Sequence, residues 1–287
     1  MIIFHHPESV RYQQPGHPES PDRILGSHAH LATHHPEWLW IEATEATDAA
    51  LLRAHSPEHL TRLRTSRARF DADTPSYPNI ALHASRSAGA AISAARRTLQ
   101  SGDKTFCLMR PPGHHATRDV AMGFCYFSSV AIAALDLLAK GVERVAIWDV
   151  DAHHGNGIEE ILLGNPGIRF ASVHQYPGYP GTGRESVKNC FNHPVPPGTP
   201  APLQMQQLEA SLAELMAFKP QILLVSAGFD AYGPDPITHL QLRQEDFVTL
   251  GKWLSQAGTP ASAVLEGGYS SDLPLLIDAF LTAWEEN

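Results

Sequence analysis

Cysteine is scarce in this chain, three in 287 residues, and Cys107, Cys125 and Cys190 form neither a CxxC pair nor an even disulfide set. A disulfide-stapled secreted scaffold is therefore not expected; buried, reduced thiols in a cytoplasmic protein are. Long apolar runs are lacking too. The N-terminus MIIFHHPESV has no basic start leading into an apolar stretch, and the run Val130 to Ala139 is short and broken by Asp136. Neither export nor membrane insertion is indicated. Nor is there a basic excess, because 21 Lys and Arg stand against 30 Asp and Glu, a formal net charge of -9. Phosphate binding needs clustered cations, so a nucleic-acid partner is not expected. The negative balance serves solubility, and an acidic mouth would attract cationic substrates such as lysine-rich peptides or polyamines. No Gly/Ser linker, charge block or internal repeat divides the chain, so residues 1–287 are read as one domain.

What is present is a regular alternation. The apolar, β-branched runs MIIF, TFCLM, RVAIWDV, IRFASV, QILLVSAG and ASAVLEGG read as buried strands. Ala84 to Gln100, Ser128 to Lys140, Leu203 to Phe218 and Gln244 to Gln256 have helical spacing and length. This predicts a parallel α/β sheet with helices on both faces, whose ligand site lies beyond the carboxyl ends of the strands. His28 to Trp40 reads as a helix end followed by a turn.

Chemistry-bearing residues follow those strands. RPPGHHA places His114 and His115 after TFCLM; VAIWDVDAHHGNG carries Asp149, Asp151 and His153; ILLVSAGFD ends in Asp230. On an extended backbone Asp149, Asp151 and His153 leave on one face, alternating with Val150 and Ala152. A carboxylate and an imidazole two residues apart, joined by Asp230, make a three-ligand set that leaves coordination positions open, as a catalytic metal site requires. Two aspartates cancel the charge of a divalent ion, so its water needs an outside base, and His114 and His115 are the candidates. His5, His6, His28, His30, His34, His35, His59, His193 and His239 are read as surface or packing residues.

With GHPESPDRI, RPPGHHA, GFCYF, DVDAHHGNG, YPGTG, SAGFDAYGPDP and LEGGY in this order, the chain resembles the histone deacetylase and acetylpolyamine amidohydrolase family. Asn156 and Glu266 look like its class II and bacterial branch. The resemblance implies an arginase–deacetylase fold of about eight parallel strands, with long loops shaping a narrow tunnel. It implies one zinc ion on Asp151, His153 and Asp230, with His115 as general base and then acid, and His114 as its electrostatic helper. Asp149 would orient His114, and Asn156 would orient His115. Being neutral where part of the family has aspartate, Asn156 stabilises imidazolium less. Tyr269 would donate to the oxyanion, Gly123, Phe124, Tyr179 and Ile237 would line the tunnel, and Arg23 would assist acetate exit. A monovalent cation, usually potassium, is implied near Asp149, Asp151, His153, Ser172 and Val173.

The implied reaction is hydrolysis of an acyl-lysine or a small acylated amine, by a chain for which a homo-oligomer is allowed. An acetylpolyamine amidohydrolase is the nearest alternative. An arginase-like ureohydrolase lacks its bridging aspartates, since His154, Asn156, Ala231 and Tyr232 stand where they would be needed. A non-catalytic acyl binder would be expected to have lost the tyrosine or a histidine.

Overall fold

The computed structural model describes residues 1–286. Eight strands, β1 (Ile2–His5), β2 (Leu39–Glu42), β3 (Thr105–Leu108), β4 (Val145–Asp149), β5 (Ile168–Gln175), β6 (Cys190–Val195), β7 (Ile222–Ala227) and β8 (Ala261–Leu265), form one sheet in the order β2-β1-β3-β8-β7-β4-β5-β6. Every pairing is parallel. Nine α-helices are described, α1 (Asp22–His34), α2 (Asp48–Leu51), α3 (Pro57–Thr65), α4 (Ile80–Ser101), α5 (Ser129–Ala139), α6 (Asn156–Leu162), α7 (Ala201–Ala217), α8 (Gln244–Gln256) and α9 (Leu273–Glu285), with one 3-10 turn at Pro7–Val10.

The period of two along the strands sorts their side chains into two cores. Phe4, Cys107, Ile147, Phe170, Leu224 and Val264 face the cluster shared with α4 and α5. Their neighbours Ile3, Phe106, Trp148, Ala171, Val225 and Ala263 face the cluster shared with α1, α7, α8 and α9. Such strands are covered on both sides, which is why they read as continuous apolar runs.

Two strands escaped the sequence reading, and both are sheet edges. β2 is only half-buried and starts within the segment read as a turn after α1; β6 contains Pro194, which an edge strand tolerates. The expected strand alternation does not run on through Asp151 and His153. β4 stops at Asp149, so Asp151 and His153 are not strand residues. The Asp151 N–H donates to Asp149 Oδ1 (3.2 Å) and the His153 N–H to Asp151 Oδ1 (2.9 Å). These short side-chain-to-backbone bonds bend the chain after the strand.

Candidate active site

The four adjacent central strands β3, β8, β7 and β4 release their chain ends at one edge of the sheet, and the loops that follow carry His114, Tyr269, Asp230 and Asp151. A cavity of about 420 Å³ opens there, lined among others by His114, His115, Gly123, Phe124, His153, Tyr179, Ile237 and Tyr269. One ligand atom from each of Asp151, His153 and Asp230 lies within 4.8 Å of the others. The His153 donor is Nδ1, 3.1 Å from Asp151 Oδ1 and 2.8 Å from Asp230 Oδ2. Asp230 Oδ1 accepts from the Ala152 N–H (2.8 Å) and Asp151 Oδ2 from the Gly267 N–H (2.8 Å), so both carboxylates are fixed by the backbone around them.

The tandem histidines have different partners. His114 Nδ1 donates to Asp149 Oδ2 (3.1 Å), and its Nε2 faces Asp151 (3.8 Å). Asn156 Nδ2 donates to the His115 carbonyl (3.3 Å), which leaves Asn156 Oδ1 to accept from His115 Nδ1 (2.8 Å). The free nitrogen of His115 is therefore Nε2. Burial opposes charge on His114, but Asp151 and Asp149 override it and push its pKa up to about 10. Burial and the charges of His114 and His153 hold His115 well below the usual imidazole range. The two shifts run in opposite directions, His114 toward the charged form and His115 toward the neutral one.

Burial lifts the phenol of Tyr269 well above its ordinary range, against the pull of the Arg23 guanidinium, whose central carbon lies 4.8 Å from the ring centre. It stays a hydrogen-bond donor. Arg23 itself is buried and occupied: it donates to the carbonyl oxygens of Gly268 (2.7 Å) and Glu266 and pairs with Glu19. Gly123 and Phe124 both sit at positive φ (56° and 68°) in a tight turn closed by paired Met122 and Cys125 hydrogen bonds. The left-handed conformation is costly for Phe124 and presents its ring to the cavity, edge-on to His17 (4.7 Å) and Tyr269 (5.7 Å). Tyr179 packs edge-on against His115 (5.0 Å). Of the positions named for a monovalent cation, Ser172 is the register partner of Asp149, with Val173 beside it.

Glu266, Thr74 and Asp235 carried no role from sequence, whereas Asp71, with Asp73, lies on a loop that from sequence could approach the mouth and hold a substrate's backbone. Glu266 Oε2 accepts from the Gly113 (2.6 Å) and His114 (3.1 Å) N–H groups, pinning the turn that carries both histidines. Burial raises its pKa to about 7. Asp71 Oδ2 accepts from the Gly123 N–H (3.2 Å), and Thr74 Oγ1 from the Phe124 N–H (3.1 Å). Asp235 accepts from the Tyr269 and Ile237 N–H groups. A carboxylate ending the buried apolar run ASAVLE was the one available signal, because an acid seldom closes such a strand without a partner.

Residues 17–282 match the family model described as Histone deacetylase domain. The chain is 35% identical over 277 residues to the histone deacetylase-like amidohydrolase of Pseudomonas aeruginosa, covering 89% of this chain and 73% of that one. It is 36% identical over 208 residues to the acetylpolyamine amidohydrolase of Mycoplana ramosa, covering 69% and 61%. The crystal structure of an acetylpolyamine aminohydrolase from Burkholderia pseudomallei superposes with a TM-score of 0.91 at 26% identity, over 100% of this chain and 99% of that one.

Proposed function

The chain belongs to the histone deacetylase family, and from that premise we propose that it is a zinc-dependent deacylase hydrolysing the acyl amide of acetyl-lysine or a related acylated amine. The observation that carries the reading is the trio Asp151, His153 and Asp230, whose donor atoms converge in a buried place where His153 Nδ1 lies between Asp151 Oδ1 (3.1 Å) and Asp230 Oδ2 (2.8 Å) and two carboxylates face one imidazole. Buried anionic oxygen of this kind calls for a cation, and an imidazole with two carboxylates is a donor set that zinc accepts. When bound, the ion supplies Lewis acidity toward an amide carbonyl and acidifies a water.

The remaining steps belong to side chains. His115, neutral and with Nε2 unprotonated, takes a proton from the attacking water and returns it to the leaving amine. His114, hydrogen-bonded through Nδ1 to Asp149, stabilises the negative charge that develops beside it. The Tyr269 hydroxyl donates to the oxyanion. Phe124 and Tyr179 exclude water from the acyl-lysine stem, and Ile237 gives the rim an apolar contact.

A second reading, deacetylation of acetylpolyamines, is favoured by Asp73, whose exposed residue lines the cavity mouth where a distant ammonium would sit. The Ile237 rim and the engagement of Asp71 with the Gly123 backbone favour acyl-lysine. Comparing kcat/KM for an acetyl-lysine peptide with N-acetylputrescine and N-acetylspermidine decides between them; a tenfold preference for either polyamine reverses the assignment. In the same assay Asp230→Ala is expected to lose both bound zinc and activity. Full activity in that variant would overturn the site.

A further inference from the structure

The segment Gly267–Gly268–Tyr269, which carries the phenol, is tied down group by group. The Gly267 N–H donates to Asp151 Oδ2 (2.8 Å), and its carbonyl accepts from the Phe229 N–H (3.0 Å). The Gly268 carbonyl accepts from Arg23 Nε (2.7 Å), and the Tyr269 N–H donates to Asp235 Oδ2 (2.8 Å). Gly268 sits at φ +118°, so the backbone before Tyr269 has little preference of its own and takes its course from these bonds. Asp235 stands apart from the other anchors. It holds no part of the metal trio and does not line the cavity, yet it is only 5% exposed. Its second oxygen, Oδ1, accepts from the Ile237 N–H (3.1 Å). One buried carboxylate therefore joins the backbone of the phenol donor to that of the rim residue.

We propose that Asp235 is the positioning residue for Tyr269, holding the phenol at the reacting carbonyl and coupling its placement to the substrate-contacting rim at Ile237. The inference rests on Tyr269 acting as the oxyanion donor. Such a donor works only within a few tenths of an ångström of its place, and a displacement of 1 Å costs on the order of 10²-fold in rate. Asp235→Asn keeps size and shape but replaces one acceptor by an NH₂ group. Whichever way the amide turns, either Tyr269 or Ile237 loses its acceptor and meets a donor instead.

The test is a double-mutant cycle with Tyr269→Phe, read as kcat, KM and bound zinc on the metal-loaded enzyme. Asp235→Asn should lower kcat about tenfold while zinc content stays within about twofold; an effect confined to KM would place the role of Asp235 at Ile237 alone and overturn the positioning of Tyr269. Tyr269→Phe alone should cost roughly 10² to 10³ in kcat, and adding Asp235→Asn to it should cost less than about twofold more, since the phenol to be positioned is gone. If Tyr269→Phe is costly while Asp235→Asn is silent, or if Asp235→Asn exacts its full tenfold in the Tyr269→Phe background, the positioning role is overturned and the reading of the site survives. A silent Tyr269→Phe overturns the phenol's role and this proposal with it. Asp235→Glu, which keeps the charge and displaces the acceptor, carries the same expectations should the amide variant fail to fold.

Discussion

His114 and His115 share a peptide bond, yet their pKa values shift in opposite directions, the one raised by the carboxylates of Asp151 and Asp149 and the other lowered by burial and by the charges of His114 and His153. Adjacent residues acquire separate chemistry only through what the fold sets against them. Gly267 shows the same dependence in steric form. A Cβ there would stand 2.5 Å from both Asp151 Oδ2 and Asp230 Oδ2. Neither carboxylate can retreat freely, since backbone N–H groups of His153 and Ala152 hold their other oxygens. Overpacking costs about 1–3 kcal/mol, so Gly267→Ala should weaken zinc affinity on the order of tenfold or more. Zinc titration against a competing chelator measures it; a wild-type affinity would show that the trio tolerates displacement. The tandem histidines and the Asp151, His153 and Asp230 types were conspicuous in the sequence because they follow closely on apolar runs. Asp235 was not, because a carboxylate that serves backbone N–H groups looks in sequence like any other, and Glu266 stood out at a strand end without showing which N–H groups it holds.

At the scale of elements, the central strands and the helices α4, α5, α7 and α8 were legible, α9 was not read, and α8 spans Gln244–Gln256 as its spacing predicts. Edge strands β2 and β6 were not, since an element with one neighbour needs no continuous apolar run. Helix packing adds a contact that no periodicity reveals. Gly251 of α8 lies against α9, where a Cβ would overlap the Phe280 carbonyl oxygen and stand 3.0 Å from the Trp284 nitrogen. Gly251→Ala would improve intrinsic helix propensity by about 1 kcal/mol. The clash is with backbone, which cannot rotate away, and forcing the two helices apart costs about 1–3 kcal/mol. A net fall in melting temperature is therefore expected, and an unchanged or raised value would mean that α9 can shift without loss.

For the whole molecule, neutral histidines set the acid limit. His55 is buried, its Nδ1–H donating to the Thr117 carbonyl (2.9 Å) and its Nε2 accepting from the Ser128 N–H (2.9 Å), so a second proton would have no place. Burial lowers its pKa to about 3, and burial lowers that of His83 to about 4. Both lie below the ordinary value of 6.5, so below that pH the unfolded chain binds more protons than the folded one. Stability is complete above about pH 6.5 and falls as pH drops toward 4, by about 1.4 kcal/mol per pH unit for each histidine. Urea midpoints at pH 7 and pH 5 and equal ionic strength test this; equal midpoints would refute it. Because His55 braces both Thr117 and Ser128, which flank the Gly123–Phe124 turn in sequence, the same protonation should disturb the cavity wall.

The sequence by itself determined the parallel α/β architecture, since runs buried on both faces must be apolar throughout and chain ends beyond them must carry the chemistry. It also named the residue types of a candidate metal trio and of a histidine pair, because strand ends in a parallel sheet converge. Only the tertiary structure decided how those groups differ from one another: which imidazole is shifted toward the charged form, that β4 ends before its ligands, and that Arg23, Asp235 and Glu266 serve backbone groups around Tyr269 and His114. Those outcomes depend on distances between segments as far apart as residues 23 and 268, and hydrogen bonds and fields act over ångströms of space without regard to separation along the chain.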